Sequence, residues 1–88
     1  MGHSLQLKMG IFFVDSNKDR LSKVYNELKT KDYVLEKIYL IDGKWTLHTS
    51  KIDILTPEKL HRRNLAFNEL GENCEVELYD GWDVERIV

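Results

Sequence analysis

The dipeptide Asp42-Gly43 separates two runs dense in β-branched and aromatic residues, 33–41 and 44–51, and no other short segment limits this chain so tightly. Both central residues of a type I′ turn need positive φ, which aspartate tolerates and glycine adopts freely, so Asp-Gly between apolar runs signals a two-residue β-hairpin. With that turn, Ile41 faces Lys44, Leu40 faces Trp45 and Ile38 faces Leu47, so apolar residues meet across the ladder. An antiparallel hairpin with an apolar face must be covered, and the rest of the chain has to supply the cover.

Met9-Gly10-Ile11-Phe12-Phe13-Val14 is apolar on both faces and of strand length, which suits a central strand. Asp15-Ser16-Asn17 ends it. Ser16 with Asp19 three residues on is a variant capping box, and Leu21, Val24, Tyr25 and Leu28 recur at helical spacing, predicting a helix over 17–31 with a polar outer face. Thr56-Pro57-Glu58 starts a second helix: a hydroxyl at the N-cap, proline where its missing N–H costs nothing, and an acid in the first turn. Leu60, Asn64, Ala66, Phe67 and Leu70 form its inner stripe, and Gly71 is its expected C′ residue. Cys74, Val76 and Leu78 then alternate with Glu75, Glu77 and Tyr79 in a last half-buried strand over 74–79.

The order β-α-β-β-α-β is an α+β, ferredoxin-like arrangement: a four-stranded antiparallel sheet with two helices on one face. Two right-handed crossovers interleave the strands as 4-1-3-2, and the expectation is a single domain over 1–88 with an ordered core of about 8–83. A chain of 88 residues buries only about 60–65 % of its unfolded surface, which leaves little core for a deep, water-excluding active site. It has one cysteine, Cys74, and histidines only at 3, 48 and 61, so neither a disulfide framework nor metal-ligand spacing is present and no cofactor is implied. With no run of 18 apolar residues and no secretory signal in Met1–Gly10, a cytoplasmic protein without a membrane span is expected.

Charge is polarised along the chain. Residues 1–44 carry eight bases against six acids, and residues 45–88 five against nine. From Glu69 to Glu85 there are seven acids and no lysine or arginine. Such a stretch repels nucleic-acid phosphates and is either a solvated face or a landing site for a basic protein segment. Within it lies Tyr79-Asp80-Gly81-Trp82, and two readings of that segment stand. Asp80-Gly81 turns the chain so that Trp82 plugs one end of the core, or the aromatics flanked by acids form a binding hot spot. The candidate partner-binding residues are therefore Tyr79, Asp80, Trp82, Glu75, Glu77 and Trp45, with Gly81 as the turn residue.

Nothing ties Cys74 to a histidine as a nucleophile-base pair, and no catalytic residue is assigned. His48 on the polar side of its strand and His61 beside Arg62-Arg63 read as solvent-facing. An acyl-phosphate hydrolase on this fold needs a phosphate cradle after the first strand, where this chain has the acidic Asp15-Ser16-Asn17-Lys18-Asp19; a thiol metal carrier needs Cys-x-x-Cys. An RNA-binding sheet is the alternative, with aromatics such as Phe12 and Trp45 on the central strands, but residues 44–51 lack the aromatic consensus and the chain is net acidic.

Trp45-Thr46-Leu47-His48, Thr56-Pro57-Glu58, Ala66-Phe67-Asn68-Glu69-Leu70 and above all Tyr79-Asp80-Gly81-Trp82 resemble the ribonuclease E inhibitor family, the regulators of ribonuclease activity B and small domains similar to them. The resemblance spans residues 9–85 in layout, although the chain has Cys74-Glu75-Val76-Glu77-Leu78 where family members often place glycines. It implies the ferredoxin-like fold and a non-enzymatic, cytoplasmic bacterial regulator. Its implied partner is a protein, the C-terminal scaffold of an endoribonuclease, whose docking lowers RNA decay; the acidic stretch Glu69 to Glu85 adds the expectation that the docked segment is basic.

The turn assignment carries its own test. Gly43→Val forces a β-branched residue into positive φ and is expected to cost about 1–3 kcal/mol. Urea denaturation reads this directly, and an unchanged midpoint would remove Asp42-Gly43 as the hairpin turn.

Overall fold

The computed structural model describes residues 6–86, so His3 and the first half of the Met1–Gly10 segment lie outside the described residues. Strand β1 (Gln6–Asp15) leads to helix α1 (Lys18–Lys29), the hairpin strands β2 (Val34–Ile41) and β3 (Lys44–Ile54), helix α2 (Pro57–Asn73) and strand β4 (Leu78–Arg86). The four strands form one antiparallel sheet in the order β2-β3-β1-β4. This is the expected α+β arrangement, two split βαβ units interleaved so that β1 and β3 are central.

The hairpin follows the sequence pattern. Asp42 has φ 50° and Gly43 φ 78°, and Ile41 pairs with Lys44, Leu40 with Trp45 and Ile38 with Leu47. On β1 the odd-numbered residues face the helices: Met9, Ile11 and Phe13 have no exposed surface and join Leu21, Val24, Leu28, Tyr33, Leu47 and Phe67 in one core. Removing that much apolar side chain from water is the main term holding helices to sheet. The even-numbered residues Lys8, Gly10, Phe12 and Val14 lie on the helix-free face.

Several boundaries differ from the sequence expectation, each for a local reason. Asn17, not Ser16, caps α1, because its side chain accepts the Asp19 N–H at 2.9 Å while the Ser16 N–H is taken by Glu77 Oε2 at 2.7 Å. Gly71 does not end α2. The helix runs on to Asn73, and Gly71 is buried inside it facing the sheet, where a Cβ would stand 3.4 Å from Phe13 Cε1 and 3.8 Å from the Tyr79 Cβ, in ordinary contact. The true stop is a Schellman motif, in which the Val76 N–H reaches Gly71 O at 2.9 Å and the Glu75 N–H reaches Glu72 O at 3.1 Å. Glu75, at φ 58°, occupies the slot usually filled by glycine.

The longer helix moves the last strand along. Cys74 caps α2, Val76 lies in the connection, and β4 begins only at Leu78, so the expected strand over 74–79 is displaced toward the terminus. Ala66 is exposed, and its expected place on the inner stripe falls to Arg63, whose guanidinium pairs with Asp53. That pairing holds the Asp53 carboxyl below the usual carboxylate range and draws Arg63 away from the solvent-facing turn of His61 and Arg62.

A reciprocal clamp fixes one end of the sheet. Asp15, fully buried, accepts the Asn17 N–H at 2.7 Å and the Glu77 N–H at 3.1 Å, while Glu77 returns a carboxylate oxygen to the Ser16 N–H. Thus the β1–α1 turn is joined to the α2–β4 connection, segments 62 positions apart. Asp15→Ala leaves both amides without their acceptor and is expected to cost about 2–4 kcal/mol, with Asp15→Asn costing less because one acceptor oxygen remains. Urea midpoints compare the two; equal, small losses would show that the clamp contributes little.

Candidate functional site

The acidic edge strand β4 collects most of the candidate residues, and its shape depends on one glycine. Trp82 pairs with Ile11 and Tyr79 with Phe13, so Asp80 and Gly81 together oppose the single residue Phe12. This is a β-bulge, and Gly81 at φ 89° supplies the left-handed backbone it needs. Strict alternation would send residues 79 and 82 to opposite faces. With the extra residue absorbed at the bulge, both aromatics lie on the helix-bearing face.

Their roles then divide. Tyr79 packs against Phe13 and Phe67, with ring centroids 5.1 and 6.0 Å apart, beside Gly71. Its hydroxyl is buried without a hydrogen-bond partner, and burial pushes its pKa up to about 12. Tyr79 is therefore part of the core wall. Trp82 remains 41 % exposed and lines a shallow cavity of about 340 Å³ with Pro57, Leu60, His61 and Asn64 at the start of α2. It is not the core plug that one sequence reading expects. Aspartates 80 and 83 with Glu85 lie along the strand, exposed, and the Tyr79-Asp80-Gly81-Trp82 segment is strand with a bulge rather than a chain-reversing turn.

The remaining candidates are dispersed. Glu75 is exposed at the end of α2, where its carbonyl accepts from Arg20 at 3.4 Å. Glu77 is occupied by the clamp and by Lys44 at 3.5 Å, and among the described residues it is the only one of the seven acids from Glu69 to Glu85 in an ion pair. Trp45 lies two strands from β4, opposite Asp15, partly buried against the core with the Lys18 ammonium 4.7 Å over its ring. It shares no cavity with Trp82.

The helix-free face has a different character. His48 stacks on Phe12 at 4.3 Å rather than standing in solvent, and Asp83 Oδ1 and His48 Nε2 close over Gly10, where a Cβ would meet them at 2.5 and 2.9 Å. Lys8 and Ser50 both hold Glu36, which keeps its carboxyl below the usual range. Cys74 sits in a groove with Lys23, Asn26, Glu27, Asn73 and Glu75, and burial pushes its thiol up, so thiolate is scarce near neutral pH. Among the described residues no group of three His, Cys, Asp or Glu side chains could hold a metal ion, and no helix is long and apolar enough to cross a membrane. What β4 offers is recognition: a half-exposed indole in a shallow cleft against the start of α2, on a strand whose exposed Asp80, Asp83 and Glu85 have no ion pair among the described residues.

Sequence reasoning missed the cleft walls Pro57, His61 and Asn64, which belong to the beginning of α2 and reach Trp82 only through the fold. It also missed Asp15. The sole signal for the bulge was Gly81 inside a strand-like pattern, which can mark a bulge as readily as a turn.

The family model for Regulator of ribonuclease activity B matches residues 2–84 of the chain. No curated protein matches significantly. Among solved structures, the chain is similar to the solution structure of the C-terminal domain of the MgtC protein from Mycobacterium tuberculosis, at TM-score 0.49 and 17 % identity over 98 % of this chain and 94 % of that one.

The Tyr79 hydroxyl gives a pH prediction with a definite sign. Its pKa is raised from 10.0 to about 12 on folding, so its contribution to stability is whole below pH 10 and is lost as pH climbs toward 12. Tyr79→Phe removes a buried, unpartnered hydroxyl and is expected to leave stability at pH 7 unchanged or raised by about 1 kcal/mol. The variant should also outlast the parent above pH 10 in urea melts. A loss of more than about 1 kcal/mol at pH 7 would mean that the hydroxyl has a partner.

Proposed function

The chain belongs to the Regulator of ribonuclease activity B family, and on that premise we propose that it is a non-catalytic cytoplasmic regulator that binds an endoribonuclease and lowers RNA decay. The observation that carries this reading is Trp82, held half-exposed on an edge strand that itself carries Asp80, Asp83 and Glu85. A basic segment of the ribonuclease is the matching partner. Opposite charge speeds the encounter, while an aromatic seated in a cleft slows departure. Asp80 and Glu75 act in steering and Trp82 in anchoring; Tyr79 supports the strand from the core and Glu77 through the clamp, while Trp45, two strands away, stands apart from this surface. The family's name states what is regulated; docking at β4 is this chain's proposed means.

A nucleic-acid-binding sheet is the second reading, favoured by the Phe12–His48 stack on the helix-free face. Against it, Asp83 and Glu85 border that face, and carboxylates beside a stacking platform oppose phosphate binding.

Binding kinetics with a basic peptide from the endoribonuclease scaffold separate the two roles. Glu75→Lys with Asp80→Lys, both at exposed positions, is expected to slow association by about tenfold at low salt and to flatten its salt dependence. Trp82→Ala is expected to speed dissociation by about tenfold or more while association changes little. RNA cleavage by the intact ribonuclease should slow on adding the parent protein and less on adding either variant. Unchanged rates in folded variants would reduce the acidic edge to a solvated face, and saturable binding of single-stranded RNA at physiological salt, abolished by Phe12→Ala, would favour the second reading.

A further inference from the structure

The sheet has two free edges, and they are built differently. Strand β4 carries Asp80, Asp83 and Glu85 and is kinked by the Gly81 bulge, which are devices that discourage strand addition by a like strand. Strand β2, Val34-Leu35-Glu36-Lys37-Ile38-Tyr39-Leu40-Ile41, is irregular between Leu35 and Lys37 but regular over 37–41, has neither proline nor glycine, and Val34, Leu35, Leu40 and Ile41 are each between 46 and 55 % exposed. Its two charges are drawn over the helix-free face instead of guarding the edge. Glu36 accepts from Ser50 Oγ at 2.6 Å and pairs with Lys8 at 2.9 Å, and the Lys37 ammonium lies 5.0 Å over the Tyr39 ring.

We propose that β2 is a self-association edge at which a second copy of this chain adds antiparallel, with Tyr39 at the two-fold axis, to make one continuous eight-stranded sheet. The hairpin sets the register. Across a two-residue turn the flanking pair Ile41 and Lys44 exchange backbone hydrogen bonds, so by alternation Tyr39 also faces β3 while Ile38 and Leu40 turn their N–H and C=O groups outward. Placing Tyr39 on the axis sets Ile38 against Leu40 of the second copy, and these are the residues whose outward groups can pair.

Side chains agree with that register. Ile38 and Leu40 both lie on the helix-bearing face, so the two copies form an apolar row beside the cavity of about 180 Å³ lined by Leu21, Tyr25, Leu35 and Ile38. On the other face the tyrosine rings meet, and Lys37 lies opposite Ile41 of the second copy. A one-residue shift would set helix-bearing against helix-free faces, and a two-residue shift in one direction would bring the irregularity between Leu35 and Lys37 into the ladder. With one acid and one base, β2 is neutral and does not repel its own copy. The paired stretch, 37–41, is short, which puts the dimer at the small end of interface sizes, below about 1,200 Å², and makes it concentration-dependent. It leaves β4 open at both ends, so this inference stands or falls separately from ribonuclease docking.

Sedimentation velocity from about 10 µM to about 1 mM, with amide hydrogen exchange by NMR at both ends of that range, tests the inference. The sedimentation coefficient should climb from monomer toward dimer. Exchange at Ile38 and Leu40 should slow by about tenfold or more at high concentration, while the outward amides of β4 do not change. Leu40→Lys, at a half-exposed position, should remain monomeric with the parent's urea midpoint, and Trp82→Ala should dimerise like the parent. A monomer throughout, a dimer that survives Leu40→Lys, or a dimer with fast exchange at Ile38 and Leu40 would each overturn it; the exchange measurement needs no variant.

Discussion

Pairing of β1 on both sides is the constraint from which the rest of the molecule follows. Met9, Ile11 and Phe13 are fully buried against the helices, while the backbone of β1 is bonded to β3 along one edge and β4 along the other. A buried strand has to satisfy every N–H and C=O within the protein, and here two antiparallel neighbours do so. Both helices then cover the one apolar face, and the two edges of the sheet are left to β2 and β4. Every surface considered for recognition is a consequence of that arrangement.

Around this centre, carboxylates act at three levels of exposure. Asp15, wholly buried, is a structural acceptor for two backbone amides that joins the chain's first turn to its last connection. Glu77, with 36 % of its side chain exposed, is tied down by accepting the Ser16 N–H and meeting Lys44. Glu75, Asp80 and Asp83 are exposed, and it is these that give the edge its field. A formal count of acids treats them alike, but desolvation separates a charge that holds the fold from a charge that reaches a partner.

The β4 bulge shows how a single backbone conformation decides which side chains are available. With Gly81 at positive φ, Tyr79 and Trp82 share the helix-bearing face, and the tyrosine, lying against Phe13 and Phe67, leaves the tryptophan as the outer member of the pair. Gly81 is thus a conformational requirement of the strand, whereas Gly71 makes only ordinary contact with the Tyr79 Cβ, 3.8 Å from where a side chain at 71 would begin.

The amino-acid pattern by itself determined the element order, the hairpin register and the strand order, because these depend on short-range signals: Asp42-Gly43 at a turn needing positive φ, Thr56-Pro57 at a helix start, and apolar periods of two and 3.6. It also marked the acidic, aromatic end of the chain. What it could not carry were outcomes set by contact between distant segments. Gly71 has the look of a helix stop, yet the Phe13 ring beneath it makes it a packing residue; Glu75 takes the left-handed cap because the chain must turn there to reach Asp15; Arg63 leaves the outer face to meet Asp53. Likewise, whether Asp80-Gly81 becomes a turn or a bulge depends on β1 lying alongside to pair with both flanks. Local propensity is a free-energy preference of about 1 kcal/mol per residue or less, and the burial and hydrogen bonding available at those sites exceed it, so tertiary structure made those choices.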